Sequence, residues 1–165
     1  DPKSNFDVWI LPLAGDRKPL PILHGQFNES HSQVSPDGRW IAYSSDETGR
    51  SEIYVQSFPS PGGKWQVSTD GGDQASWRAD GKELFYLSAG KKLMAVDVKA
   101  AGSSFEAGVA RLLFETSLPP NGIADFRNQY VATADGQRFL VTALADEAPS
   151  SPVNVVVHWG GELPK

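Results

Sequence analysis

Ser35-Pro36-Asp37-Gly38-Arg39-Trp40-Ile41-Ala42-Tyr43-Ser44-Ser45 decides how the rest of the chain is read. Asp-Gly is the strongest short hairpin signal, because a type I′ turn needs φ > 0 at both central residues and these two tolerate it best. Pro36 has no N–H to give to a ladder, which suits a place just outside the turn. Trp40 to Tyr43, aromatic and β-branched, then reads as a strand.

The pattern Asp-Gly-polar-any-apolar-apolar-apolar comes back. Asp80-Gly81-Lys82-Glu83-Leu84-Phe85-Tyr86 starts 43 residues after Asp37, and Asp135-Gly136-Gln137-Arg138-Phe139-Leu140-Val141 starts 55 residues after Asp80. A strand-only repeat of about forty residues is the sequence sign of a β-propeller with four strands per blade. The longer interval places an insertion over 115–128, around Pro119-Pro120-Asn121-Gly122, expected as a surface loop.

Read in order, 1–24 supplies two strands, Phe6 to Leu11 and Leu20 to Leu23, the outer half of a blade. A polar connection, 24–32, leads to a blade over 31–69 with strands at His31–Val34, Trp40–Ser45, Glu52–Phe58 and Lys64–Ser68. The next blade, 74–115, takes Gln74–Arg78, Leu84–Ser88, Leu93–Val98 and Ala110–Phe114; Phe105, Val109, Leu112 and Leu113 also fit helical spacing, but the repeat requires a strand. A final three-strand blade, 128–159, takes Gln129–Thr133, Phe139–Leu144 and Val153–Trp159, with a polar loop over 145–152. The apolar runs Ile41/Ala42/Tyr43, Leu84/Phe85/Tyr86 and Phe139/Leu140/Val141 are continuous, as in strands covered on both faces. The expected fold is all-β: an incomplete β-propeller of three to four blades built from four-stranded antiparallel sheets. Trp9, Trp40, Trp65, Trp77 and Trp159 are expected in the blade core.

Composition agrees with a turn-rich chain of short strands: 16 glycines and 12 prolines in 165 residues. A net charge of −5 offers no basic footprint for nucleic acid. No apolar run reaches the roughly 18–20 residues of a membrane span, so no membrane contact is expected from this segment. The absence of Cys excludes a disulfide scaffold and a thiolate metal site. The chain opens mid-pattern, which is compatible with a targeting segment upstream.

The Ser35–Tyr43 stretch, followed by Glu52-Ile53-Tyr54-Val55, resembles the WD40-like propeller repeat of TolB and of the tricorn and prolyl oligopeptidase propellers. The likeness is specific over 31–58, fair over 74–98, where Arg78-Ala79 replaces the Ser-Pro of the motif, and weak over 129–159, where Thr133-Ala134 replaces it. Val153-Asn154-Val155-Val156-Val157-His158-Trp159 is similar to the end of propellers fused behind bacterial serine/threonine kinase domains. No kinase motif and no Gly-x-Ser-x-Gly nucleophile elbow accompanies it. The resemblance implies a last blade short of one strand, an extracytoplasmic setting and a larger parent protein. It also implies a choice between closure by a second copy and closure by the rest of that parent.

Candidate chemistry is sparse. His24, Asn28, Glu29 and His31 cluster in one stretch and could approach a cation, but no regular spacing makes them a ligand set. His31, Gln74 and Gln129 each stand six residues before the Asp of a turn, so in stacked blades they would ring the channel mouth; hydrogen bonding between blades is the plainer reading. Asp46, Glu47, Asp70, Asp73, Asp146 and Glu147 could give an acidic face for calcium or a basic peptide, though Asp70-Gly71-Gly72-Asp73 is not an EF-hand loop. No nucleophile stands beside a base, so no catalytic residue, metal or cofactor is expected. The expectation is a non-catalytic module that binds a ligand, protein or peptide through 24–31, 46–51, 69–74 and 116–128. The alternative is a substrate-gating propeller of an oligopeptidase-like hydrolase.

Overall fold

The computed structural model describes residues 6–60, 62–118 and 128–143. Among them there is no helix, so none is long and apolar enough to cross a membrane. The described residues form thirteen strands in antiparallel sheets, paired in sequence order except that the eleventh pairs with the ninth. β1 (Val8–Ile10) pairs with β2 (Leu20–Leu23). β3 (Glu29–Val34), β4 (Trp40–Ser45), β5 (Glu52–Ser57) and β6 (Lys64–Gln66) make a four-stranded meander. β7 (Asp73–Trp77), β8 (Glu83–Leu87), β9 (Lys92–Ala101) and β10 (Ser104–Ala107) make the next, and β12 (Tyr130–Ala132) pairs with β13 (Phe139–Val141).

The second meander departs from the expected four strands. β9 is ten residues long and its two halves take different partners: Lys92–Ala95 pairs with β11 (Arg111–Glu115), and Val98–Ala101 pairs with β10. The 105–115 region is therefore two strands rather than a helix. Phe105 is pinned opposite Ala100 and turned into the core. The expected strand at 153–159, the loop at 145–152, most of the 115–128 insertion and Trp159 lie outside the described residues.

The hairpin turns are not type I′. Only the glycine has positive φ: 72° at Gly38, 71° at Gly81 and 68° at Gly136. In each copy the glycine N–H donates to the carbonyl three residues back, Ser35, Arg78 or Thr133, at 2.8–2.9 Å. Those three residues in turn donate N–H to the carbonyls of Trp40, Glu83 and Arg138. This is a type I turn, Pro36 at its second position, closed by a left-handed glycine. Each Asp carboxylate accepts the backbone N–H two residues on, at 3.0–3.1 Å.

Strand alternation sorts side chains into three cores, one at each interface between successive sheets. From β4, Trp40 and Ala42 face β7–β10, where Trp77, Leu84, Tyr86, Val96 and Phe105 meet them. Ile41 and Tyr43 face the other way, onto Val8, Ile22 and Leu23 of the β1–β2 pair. From β8, Phe85 and Leu87 face β12–β13, packing with Tyr130 and Phe139. β4 and β8 are buried on both faces, which is why their runs are continuously apolar; β13 departs from that expectation, since Leu140 is 75% exposed among the described residues. Trp9, by contrast, is 50% exposed, because it pairs with Pro21 on the face of the β1–β2 sheet away from that core. The first strands of the sheets lie side by side, β3 against β7 and β7 against β12, so the stack turns about their common edge. This all-β arrangement is an incomplete propeller.

Candidate functional site

β3 and β7 both carry a bulge near their start, at Ser30/Gln33 and at Asp73/Ser76. A bulge inserts a residue and re-aims its side chain. At the two bulges His31 (φ 46°) and Gln74 (φ 57°) occupy the left-handed region, which non-glycine residues enter at a cost. Their side chains run across the seams between sheets.

Asp73 stands at the first seam. Its Oδ1 accepts His31 Nδ1–H at 2.9 Å, Ser44 Oγ–H at 2.7 Å and the Gln74 N–H at 2.8 Å. Burial pushes its carboxyl up, but the bonds from His31 and Ser44 outweigh this and hold it below the usual range. At the second seam Gln74 Oε1 accepts the Gln129 N–H at 2.6 Å, Gln74 Nε2 donates to Gln129 Oε1 at 3.3 Å, and the Tyr130 hydroxyl donates to Gln74 O at 2.8 Å. The structure thus brings together His31, Asp73, Gln74 and Gln129 in one row, with Gln74 and the His31 ring largely buried.

Two hollows flank this row. A cleft of about 300 Å³ is lined by Arg50 and Ser51 after β4, Gly71 to Gln74 at the start of β7, Leu87, Ser88, Ala89 and Lys91 at the end of β8 and beyond it, Leu118 and Gln129. A smaller one of about 240 Å³ lies along the first strands, between His31, Ser32, Gln33, Ala75 and Asn128. Of the four expected loop regions, 46–51 contributes Arg50 and Ser51, 69–74 contributes Gly71 to Gln74, and 116–128 contributes Leu118; the turn after β8 was not among them. Its walls are braced from beneath by Glu52, which is 1% exposed, accepts Arg50 Nε at 2.6 Å and the Gly71 N–H at 2.9 Å, and is bonded by Ser68 Oγ.

The 24–31 group does not assemble. His24 is exposed on the connection after β2. Asn28 donates from N and Nδ2 to both oxygens of Asp46, at 2.9 and 2.6 Å, which lowers the Asp46 carboxyl. Glu29 is not in a loop at all. It opens β3, is 9% exposed, and its carboxyl is pushed up to about 7 by burial and by Asp7 and Asp46. No group of His, Asp or Glu among the described residues could hold a metal ion. The remaining acidic pair, Asp146 and Glu147, lies outside the described residues. Sequence reasoning missed Gln33, whose Oε1 accepts the Trp77 N–H at 2.7 Å and whose carbonyl accepts Trp77 Nε1–H at 3.1 Å across the first seam. Nothing in the local pattern distinguishes Gln33 from a solvated strand residue.

No protein-family profile matches the chain. A stretch of 82 residues, 47% of the chain, is 33% identical to Tricorn protease homolog 1 of Streptomyces coelicolor, of which it spans 7%. Among solved structures the chain is similar to TolB of Acinetobacter baumannii (19% identity, TM-score 0.49, 79% of this chain and 35% of that one). It is also similar to a putative TolB of Agrobacterium tumefaciens (16% identity, TM-score 0.46, 62% and 41%). The chain therefore spans well under half of each of these relatives.

Proposed function

We propose that this chain is a non-catalytic binding module, one partial propeller that presents its partner with the loop face around the row His31, Asp73, Gln74 and Gln129. The observation that carries this reading is the 300 Å³ cleft on that face, built by loops from successive sheets and braced by the buried Glu52. Loops held on a rigid scaffold are where binding residues concentrate. The cleft offers the Arg50 and Lys91 cations, the Asp73 carboxylate, the Gln74 and Gln129 amides and the Ser51 and Ser88 hydroxyls, whose hydrogen bonds run to backbone groups rather than to a base, which suits recognition of a protein or peptide more than turnover. Membership of a larger parent rests on the resemblance of 153–159 to kinase-fused propellers and on the small share of each relative that the chain spans.

A second reading has its own support. The 33% identity to a tricorn protease homologue favours a gating propeller that admits peptides to a hydrolase elsewhere in the parent protein. Both readings use the same face. A photo-crosslinking residue at Ala89, on the cleft rim, should trap one discrete partner in extracts of the source cells, whereas the same residue at Lys99, on the outer part of β9, should not. Equal trapping at both positions would contradict a docking role for this face. Trapping of short peptides rather than a protein would favour the gate.

A further inference from the structure

Glu29 sits where three parts of the chain meet. Its N–H donates to Phe6 O at 2.9 Å, tying the lead-in of β1 to the first residue of β3. The residue is 9% exposed, and its Oε2 is buried with no hydrogen-bond partner among the described residues. An ionised carboxylate with a buried oxygen that no donor reaches is costly, and such a group tends to take up a proton.

Among the described residues, the charges around it are mostly of its own sign. Asp7 faces it from the β1 lead-in, and Asp46 and Glu47 face it from the loop after β4. Among the described residues Lys64 of β6 is the opposing charge, and its ammonium is paired with Glu47 and lies 4.9 Å over the Tyr54 ring. The Tyr43 hydroxyl of β4 lies near Glu29 and Glu47 and is itself pushed up by burial first. The carboxylates do not converge as a metal-ligand set among the described residues, so a proton, not a cation, is the fitting counter-charge.

We propose that Glu29 is a proton-held latch on the seam between the β1–β2 pair and the β3–β6 sheet, closed when the carboxyl is neutral and loosened when it ionises. The sign follows from linkage. The closed form holds the proton up to about pH 7, whereas the opened form releases it near the ordinary value of 4.5. Seam stability therefore falls as pH rises from the lower value toward the higher, and stays low above it. The seam's apolar core of Val8, Ile22, Leu23, Ile41, Tyr43 and Tyr54 supplies the attraction that the ionised carboxylate opposes.

The test uses the full chain and Glu29→Gln, which keeps the shape of the neutral acid. Amide exchange over 8–23, corrected for intrinsic rate, should rise about tenfold in the wild type between about pH 6 and pH 8, one proton's linkage over that span. The variant should show no rise. A rise that persists in the variant, or protection that calcium restores at about pH 8 as fully as acid does, would overturn the latch. A carbon-detected titration of the wild-type Glu29 carboxyl needs no variant: a midpoint near 7 is expected, and one near 4.5 would overturn it.

Discussion

Gly38 shows what a single residue decides here. Its φ of 72° lets a type I turn rejoin the strand, and an added Cβ would meet nothing within 4 Å. Gly38→Ala should therefore cost only the backbone term of a left-handed alanine, about 1–2 kcal/mol. Gly136→Ala adds a clash, because its Cβ would lie 2.9 Å from Phe85 Cζ and 3.0 Å from Arg78 Cδ. It should be the more destabilising of the two in chemical denaturation; equal losses would contradict the packing of that turn on β8. The Asp-Gly pair was legible, but its turn type was not. The aspartate stays out of the left-handed region because its carboxylate is held by the N–H two residues on and by Ser35, Arg78 or Thr133. Those three residues differ in chemistry but serve the same carboxylate, which is why the departures from Ser-Pro leave the turns alike.

Among the elements, β3 and β7 are the most informative. Their common offset from the turns marked His31, Gln74 and Gln129 in the sequence, and the structure places all three along the inner strands. The bulges that aim His31 and Gln74 sideways could not be read, because no glycine marks them and a strand pattern looks the same with one residue more. Gln74 separates the two contributions. Replacing it with Ala removes the bonds to Gln129 and keeps the left-handed backbone. Replacing it with Gly removes the same bonds and relieves the backbone. Gln74→Gly should be less destabilising than Gln74→Ala by about 1 kcal/mol; the reverse order in urea unfolding would mean the conformation at the bulge carries no cost. β10 is an element that the sequence pattern does not reveal. Phe105 fits a helical face by spacing, yet its ring lies 5.3 Å from Trp40 and 5.6 Å from Trp65 by centroids, closing the outer end of that core. Long-range aromatic packing of this kind leaves no trace in a local period.

For the molecule as a whole, the sequence disclosed the architecture because β4 and β8 must each serve two cores, and a strand covered on both faces advertises itself as an unbroken apolar run. What stayed hidden was the polar stitching between sheets: Gln33 to Trp77, Asp73 to His31 and Ser44, Gln74 to Gln129. Each of those contacts joins residues tens of positions apart, and each depends on how the sheets stack. The cleft, its Glu52 brace and the Glu29 seam all inherit their geometry from that stacking. It is tested most directly by aromatic nuclear Overhauser contacts in the intact chain. The stack requires Trp40 to Phe105 across one interface, with ring centroids 5.3 Å apart, and Phe85 to Phe139 across the next, at 5.0 Å, in the same molecule. Both cross-peaks together are the expected result; the absence of either would contradict successive sheets packed face to face.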